Sequence, residues 1–270
     1  MLKVAELELS VPGGRWLPPS AGSLLQGALM ELLDSDLAAS LHAPGLRPYS
    51  QYLFYRGSSL VWRVAALNEA AAESILDPLL SERFTRISLR DKDATLTVAA
   101  KQVMYNTTYE SLTDQFFFTS QLPRRVLLRF VTPVSFRSRE KYMIYPSVEH
   151  ILQNLYNRWN QFANRFTLAD PDVLEHMAAH LRISGYRLEM SPFALEGVRI
   201  PAFQGSLELS LAGPDALVRV TLLLLAYSEF AGIGIKTAIG MGGSTIAVKQ
   251  RGAPLTSLLE QVSAQERSLS

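Results

Sequence analysis

Apolar positions in the first half of the chain change period several times, and each change predicts a different element. Ala5, Leu7, Leu9 and Val11 alternate with polar residues, as in a half-buried strand. Apolar residues then recur at helical spacing over 22–33, which predicts a helix. Later patterns predict strands over Tyr49–Tyr55, Leu60–Ala66, Phe84–Leu89 and Thr95–Ala99, and a helix from Asn68, its cap, to about Leu80.

The second half repeats this order of elements. Val126–Val131 predicts a strand, and Ser147 is placed to cap a long helix. Its apolar stripe comprises Val148, Ile151, Leu152, Leu155, Trp159, Phe162 and Phe166. The last helix starts at Gly213-Pro214-Asp215 and stops at Gly232. The remaining predicted elements are a short helix around Glu175–His180, strands over Arg182–Met190 and Phe203–Leu211, and a final strand, Ser244–Lys249, that closes the chain.

Strand, helix, strand, strand, helix, strand is the ferredoxin-like order, and it occurs twice. The pattern therefore predicts an α+β protein with two tandem ferredoxin-like (βαββαβ) domains. We place the boundary within Tyr105–Leu122, which gives an N-terminal domain over 1–122 and a C-terminal domain over 123–270. A chain of 270 residues is long enough for two such domains.

Composition narrows the classes of protein to which the chain can belong. The sequence contains no cysteine, which excludes disulfides and thiolate metal sites. The apolar run Leu222–Ala226 is too short to span a bilayer, and the N-terminus lacks the apolar core of a signal peptide. We therefore expect a cytoplasmic protein with no membrane partner. The net charge of +1 gives little support for a nucleic-acid ligand, so the local distribution of charge is more informative than the total.

Positive charge is concentrated between positions 124 and 141, where Glu140 is the one acid. The basic residues there are Arg124, Arg125, Arg129, Arg137, Arg139 and Lys141. Two interpretations are open, a solvated basic edge and a surface that binds a polyanion. Charge alone favours the solvated edge.

The strongest local signal is the glycine-rich loop, residues 232–243 with the sequence GIGIKTAIGMGG. Its members of interest are Gly232, Gly234, Lys236, Thr237, Gly240, Gly242 and Gly243. Dense glycines permit positive φ and close approach, and successive amides can line a concavity that binds anions. A nucleotide-binding P-loop and a dinucleotide fingerprint are both excluded, because each needs a strand before the loop and a helix after it. A helix-to-strand connection that merely requires glycine stays an alternative.

A helix that leads into this loop and then into a terminal strand resembles the signature of CRISPR-associated repeat-processing endoribonucleases of the RAMP superfamily, the "Cas six" type. The passages VTPVSFRS, YPSVEHILQNLYNRWNQF and PAFQGSLEL are similar to other parts of the second domain in that family. LHAPGLRPYSQYLF fits the first domain more loosely. The resemblance implies a partner, the repeat RNA of a CRISPR precursor, which the basic segment and the glycine-rich loop would bind through phosphates.

The resemblance also implies catalytic residues in the first half. A histidine just after the first helix is the usual catalytic residue of the family, and His42 occupies that place. Histidine suits proton transfer near neutral pH. Arg47 would neutralise the scissile phosphate and Tyr49 would donate a hydrogen bond. The helix over 22–33 has no tyrosine, although many members use one there. The implied reaction needs no metal or other cofactor and leaves a 2′,3′-cyclic phosphate and a 5′-hydroxyl.

Two other functions compete with this one. The first is a non-catalytic RAMP subunit that binds crRNA with other subunits of an interference complex and would have no need of His42. The second is an unrelated metal enzyme built on His176 and His180, which lie at i and i+4 of a predicted helix. The zincin pattern fails because Met177, not glutamate, follows the first histidine, and we expect no metal site. The sequence leaves homodimer formation open.

Overall fold

Two antiparallel sheets contain most of the strands that the apolar patterns predict. A computed structural model describes residues 1–14, 16–33, 41, 45–89, 94–170, 172–195, 197–249 and 254–262. In the first half the elements are β1 (Leu2–Ser10), α1 (Gly22–Leu32), β2 (Tyr49–Arg56), β3 (Ser59–Ala66), α2 (Glu69–Ala71), a π-helical turn (Ala72–Leu76), α3 (Asp77–Leu80), β4 (Arg86–Leu89), β5 (Ala94–Thr107) and α4 (Tyr109–Phe118). In the second half they are β6 (Arg125–Val134), β7 (Phe136–Ser138), β8 (Lys141–Met143), α5 (Val148–Phe162), α6 (Val173–His180), β9 (Leu181–Met190), β10 (Phe193–Leu195), β11 (Val198–Ile200), β12 (Phe203–Leu211), α7 (Asp215–Ala231), β13 (Ser244–Val248) and β14 (Thr256–Ser257).

The first sheet has the strand order β2-β3-β1-β5-β4, and the neighbours pair antiparallel. Without the short β4 this is the ferredoxin-like order, with β1 in the middle between β3 and β5. One face carries Ala5, Leu7 and Leu9 of β1 with Trp62 and Val64 of β3, which join the apolar residues of α1 and of the helical segment over 69–80 in one core.

The second sheet has the order β14-β13-β6-β12-β9, so the β6 strand takes the place that β1 has in the first sheet. α5 and α7 pack on it, and the Trp159 ring meets the rings of Tyr109 and Tyr227 edge-on at 5.0 and 5.1 Å between centroids. Such edge-to-face pairs stabilise a core beyond their buried area. The predicted tandem ferredoxin-like fold is therefore confirmed.

Three helix starts carry the caps that their sequences predict or permit. The side chain of Asn68 accepts a hydrogen bond from the Ala71 amide at 2.8 Å, and Ser147 Oγ accepts one from the His150 amide at 3.1 Å. Thr108 does the same for α4. A side-chain cap satisfies an amide that has no partner inside the helix. The caps predicted at Asn68 and Ser147 are confirmed.

Four features differ from the sequence-based prediction. α5 ends at Phe162 because Asn164 turns into the left-handed region at φ 51°, so Phe166 lies in a following 3₁₀ turn instead of the helix. β5 continues to Thr107, well beyond position 99, and is followed by the unpredicted α4. The chain does not close on β13, because β14 pairs with it. The hairpins β7–β8 and β10–β11 were also not predicted, since three-residue strands carry too few positions to show alternation.

The two halves share one apolar core. Leu2, Val4, Ala65 and Leu67 lie on the other face of the first sheet and pack with the buried residues of α4, α5 and α7. The proposed domain boundary between 122 and 123 falls after α4 and before β6, and it stays a prediction. Within the described ranges, no helix is both long and apolar enough to cross a bilayer.

Candidate nucleic-acid interface

The glycine-rich loop makes contacts that leave no room for side chains. Gly242 has φ 73°, and a Cβ there would overlap the carbonyl oxygen of Ile233. Gly234 has φ 87°, and its Cβ would overlap the carbonyl oxygen of Ser135. At Gly243 an added Cβ would lie 2.5 Å from the Tyr52 ring. The glycines are therefore required by close packing of backbone against backbone and ring.

Most amides of this loop donate hydrogen bonds within the protein. The Ile233 and Gly242 amides donate to the carbonyls of Gly242 and Pro133, and the Gly234 amide donates to Asn154 Oδ1. The other internal donors are the amides of Gly232, Ile235, Ile239, Met241 and Gly243. These groups are not available to a phosphate, which corrects the expectation of an amide-lined concavity over the whole loop.

Lys236 is the exception in the loop, because its side chain is exposed and its backbone is left-handed at φ 57°. It begins a short 3₁₀ turn, Thr237–Ile239, whose Thr237 hydroxyl is buried. That hydroxyl is therefore not a hydrogen-bond donor on the surface. A role for the loop in RNA binding stays a prediction, and Lys236 is the residue that can carry it.

The loop also joins the two halves. Gln51 Nε2 donates to the carbonyls of Gly22 and Ala238 at 2.8 and 3.1 Å, while Gln51 Oε1 accepts from the Trp62 indole. Ser50 Oγ donates to the Phe230 carbonyl at 2.6 Å, just before the loop begins. Buried polar groups that are satisfied across two elements fix their relative position. The glycine-rich loop thus lies between β2, α1 and the second sheet and fixes their relative positions.

The basic segment divides into residues with internal partners and residues on open surface. Arg124 donates to the Gly213 carbonyl and pairs with Asp215 at the start of α7, which is a structural contact. Arg137 pairs with Glu140 at 2.6 Å across the turn of the β7–β8 hairpin. Arg137 is itself exposed, and the other exposed members are Arg125 and Arg129 on β6, Arg139 in the hairpin turn and Lys141 on β8. The sheet and the hairpin therefore present these four cations to solvent.

The catalytic candidates of the first half follow α1 in the sequence, and Tyr49 is the first residue of β2. His42 is outside the described residues. Leu41, which precedes it, is buried in the first core, and Arg47 Nη1 donates to the Gly45 carbonyl at 3.1 Å. Tyr49 is only 1% exposed, and burial raises its pKa to about 12. A hydroxyl so buried does not reach a substrate, which argues against the predicted contact from Tyr49.

Two of the other three histidines, His150 and His180, have side-chain contacts that explain them without catalysis, and His176 is exposed on α6. His150 Nδ1 lies 2.6 Å from Ser147 Oγ, and its ring stacks on Phe136. His180 Nδ1 lies 2.9 Å from the His176 carbonyl oxygen. In the part of the chain that the structure describes, no three histidine, aspartate or glutamate side chains are grouped as a metal site would need.

A buried ionic cluster in the cleft between the halves was missed from the sequence. Arg63 on β3 lies 2.9 Å from Glu6 on β1 and 3.6 Å from Glu229 on α7. Arg56 also pairs with Glu6, at 2.6 Å. All of Glu6, Arg63 and Glu229 are at most 5% exposed. The signal in the sequence was Glu229 itself, a carboxylate in the mainly apolar segment 222–231, since such residues are seldom buried unless paired.

Burial raises the pKa of Glu229 to about 7, although Arg63 and the Ile246 amide act in the opposite direction and Glu260 and Glu6 add to the rise. The native carboxyl therefore keeps its proton where the unfolded one, near 4.5, has released it. Stability from this group is present below pH 4.5 and is lost as the pH rises to about 7.

The Glu229→Gln variant should lose this dependence, because the amide keeps the acceptor for the Ile246 amide but cannot ionise. Chemical unfolding of the variant and the wild type at several pH values measures the difference. Between pH 4.5 and pH 7.5, the free energy of unfolding of the variant should rise by about 1–3 kcal/mol relative to that of wild type. Glu175→Gln, on the exposed side of α6, is the control. Parallel curves for Glu229→Gln and wild type would contradict the assignment.

Comparisons with known proteins agree with this architecture. The family model described as CRISPR-associated endoribonuclease Cas6 matches residues 128–244. A protein of that name from Streptococcus thermophilus is 30% identical over 217 residues, which covers 80% of this chain and 87% of the relative. Its namesake from Mycobacterium tuberculosis is 29% identical over 237 residues, covering 87% of this chain and 74% of the relative.

A solved structure of Thermus thermophilus Cas6 has the same fold. It superposes with a TM-score of 0.69 at 21% identity and covers 91% of this chain and 98% of its own. The similarity therefore extends over both ferredoxin-like halves and is not confined to the segment around the glycine-rich loop. With this shared fold and the relative at 30% identity, the chain belongs to the Cas6 family of CRISPR-associated endoribonucleases.

Proposed function

We propose that this protein cuts precursor CRISPR RNA within its repeats, without a metal ion, and leaves a 2′,3′-cyclic phosphate and a 5′-hydroxyl. The observation that carries the proposal is the extent of the similarity to proteins named endoribonucleases. A match of 237 residues in a chain of 270 includes position 42 wherever it begins. The half that holds the candidate catalytic histidine is thus part of what the relatives share.

In the proposed reaction the 2′-oxygen attacks the adjacent phosphorus while a base removes its proton. The bond from phosphorus to the 5′-oxygen breaks, and an acid protonates that oxygen as it leaves. His42 carries a proton transfer in this scheme, because imidazole titrates near neutral pH. Arg47, held on the Gly45 carbonyl, offsets the charge that develops on the phosphorane oxygens.

The chemistry at the new ends tests the proposal. Mass spectrometry of the products from a CRISPR repeat RNA should find a cyclic phosphate on the upstream fragment, lighter by one water than the linear monophosphate. The downstream fragment should carry a 5′-hydroxyl. Hydrolysis by an activated water would instead leave a linear phosphate at once, and that outcome would refute attack by the 2′-oxygen.

The open cations of β6 and β8 support RNA binding through phosphates. Arg129→Gln and Lys141→Gln should each reduce the slope of log affinity against log salt concentration by about 0.7–0.9, the value for one lost phosphate contact. Fluorescence anisotropy with a labelled repeat RNA at several salt concentrations measures the slope. Arg86→Gln, exposed on β4 at the edge of the first sheet, should leave it unchanged. Equal slopes for all three variants and wild type would place the RNA elsewhere.

The non-catalytic alternative keeps the same fold and the same cations but has no use for His42. A chain that binds repeat RNA tightly and never cuts it would favour that alternative. Subunits of an interference complex and a second copy of this chain remain proposed partners.

A further inference from the structure

A cavity of about 610 Å³ opens between the two halves, above the buried ionic cluster. Its walls include Tyr52 and Phe54 from β2, Tyr105 from β5 and Arg129 from β6. The volume lies within the range of sites that hold small organic groups. Arg47, one of the two proposed catalytic residues, does not line the cavity.

Trp16 stands at the edge of this cavity with 67% of its surface exposed. The other two tryptophans, Trp62 and Trp159, are each 1% exposed. Burial of a tryptophan side chain is strongly favourable, so a ring that stays this exposed contributes little to the stability of the fold. Its exposure points to a ligand that covers the ring.

The ring of Trp16 is oriented by its surroundings. It lies nearly parallel to the Tyr55 ring, with an interplanar angle of 9° and 6.3 Å between the centroids. The next amide, that of Leu17, donates to the Tyr55 hydroxyl at 3.0 Å and fixes the loop on β2. Two aromatic faces are thereby held parallel at the cavity edge, an arrangement suited to a flat ligand.

Charge around the cavity selects for an anionic ligand. Arg56, Arg63 and Arg129 line it, against the carboxylates of Glu6 and Glu229. Glu6 is already engaged by Arg56 and Arg63. The Arg56 side chain nevertheless stays 57% exposed, so it presents positive charge at the edge. A flat aromatic group that carries phosphate fits both properties, whereas an apolar peptide would offer no counter-charge to Arg129.

We propose that Trp16 is a stacking platform for one unpaired base of the RNA substrate, with the adjoining phosphate next to Arg56 and Arg129. The proposal rests on the proposed function, since it takes the RNA as the ligand. Stacking on aromatic rings is a common way for proteins to hold single-stranded bases, and it tolerates any base because each has a π-face. A base on Trp16 would fix where the single-stranded flank of a repeat leaves the protein.

Acrylamide quenching of tryptophan fluorescence tests the site directly, because quenchable emission comes from exposed Trp16. Two RNAs serve as probes, a repeat hairpin with its single-stranded flank and the same hairpin without it. Both carry 2′-O-methyl groups throughout, which remove the attacking hydroxyl. We expect the flanked RNA to lower the quenching constant at least twofold and the bare hairpin to change it little. Unchanged quenching in the saturated flanked complex would overturn the proposal.

Variants separate stacking from a structural role. Trp16→Ala should weaken binding of the flanked RNA by about tenfold and leave the bare hairpin unaffected, as expected for one lost stacking contact. Trp16→Phe keeps a ring and should restore most of the affinity. Equal loss for both RNAs, or no loss in Trp16→Ala, would contradict the proposal. If wild type binds neither RNA, the proposed function itself fails. If wild type binds both RNAs and Trp16→Ala binds them equally well, only the stacking proposal fails.

Discussion

Replacing His42 by alanine should lower the rate of repeat cleavage by about 10²–10⁴, the usual contribution of one positioned acid or base. RNA affinity should change by less than about threefold, because none of the proposed phosphate contacts is made by His42. Single-turnover cleavage with protein in excess measures the chemical step, and anisotropy at matched salt measures binding. The two readouts together separate catalysis from recognition.

His176→Ala provides the matched control for that experiment. His176 is an exposed histidine of α6, so its loss removes the same group at a site with no proposed part in the reaction. Its cleavage rate should equal that of wild type. Cleavage by His42→Ala within threefold of wild type would remove His42 from the chemistry and leave the proton transfers to other groups.

Gly242→Ala should have the largest effect on stability, a loss of about 3–5 kcal/mol in the free energy of unfolding. The backbone of Gly242 is left-handed at φ 73°, and an added Cβ would overlap the Ile233 carbonyl oxygen. The overlap would break the hydrogen bond from the Ile233 amide to the Gly242 carbonyl, which holds the loop closed. Urea unfolding monitored by circular dichroism measures the change.

Gly27→Ala is the control for glycine removal as such. Gly27 is exposed in α1, and a Cβ there has nothing within 4 Å. Alanine favours a helix, so this variant should gain about 0.5–1 kcal/mol. If Gly242→Ala were as stable as wild type, packing would not be the reason for the glycines, and a direct contact of the loop amides with RNA would need to be reconsidered.

The architecture was open to prediction because its signals are local. Alternation at Ala5, Leu7 and Leu9 gave the central strand of the first sheet, and Ser147 marked the start of α5. The order of elements then led to the tandem ferredoxin-like fold. The turn after α5 was harder to predict, because Asn164 in the left-handed region ends the helix while the apolar spacing continues to Phe166.

The site was harder to predict, because its properties arise from contacts between distant residues. The sequence showed dense glycines between 232 and 243 but not that Tyr52 and Ser135 press against them. It showed six basic residues in the middle of the chain but not that Arg124 is held by Asp215. Pairing of Arg63 with carboxylates on β1 and α7 likewise depends on how the halves meet. None of these partners is near in sequence.

Cleavage of a labelled CRISPR repeat RNA in excess EDTA tests the central claim most directly. We predict that the wild-type protein cuts the repeat at one position at the same rate with and without the chelator, and does not cut a scrambled RNA of equal length. Tight binding of the repeat with no cleavage under either condition would contradict the claim and leave an RNA-binding subunit. Cleavage abolished by EDTA and restored by a divalent metal would contradict the metal-independent mechanism.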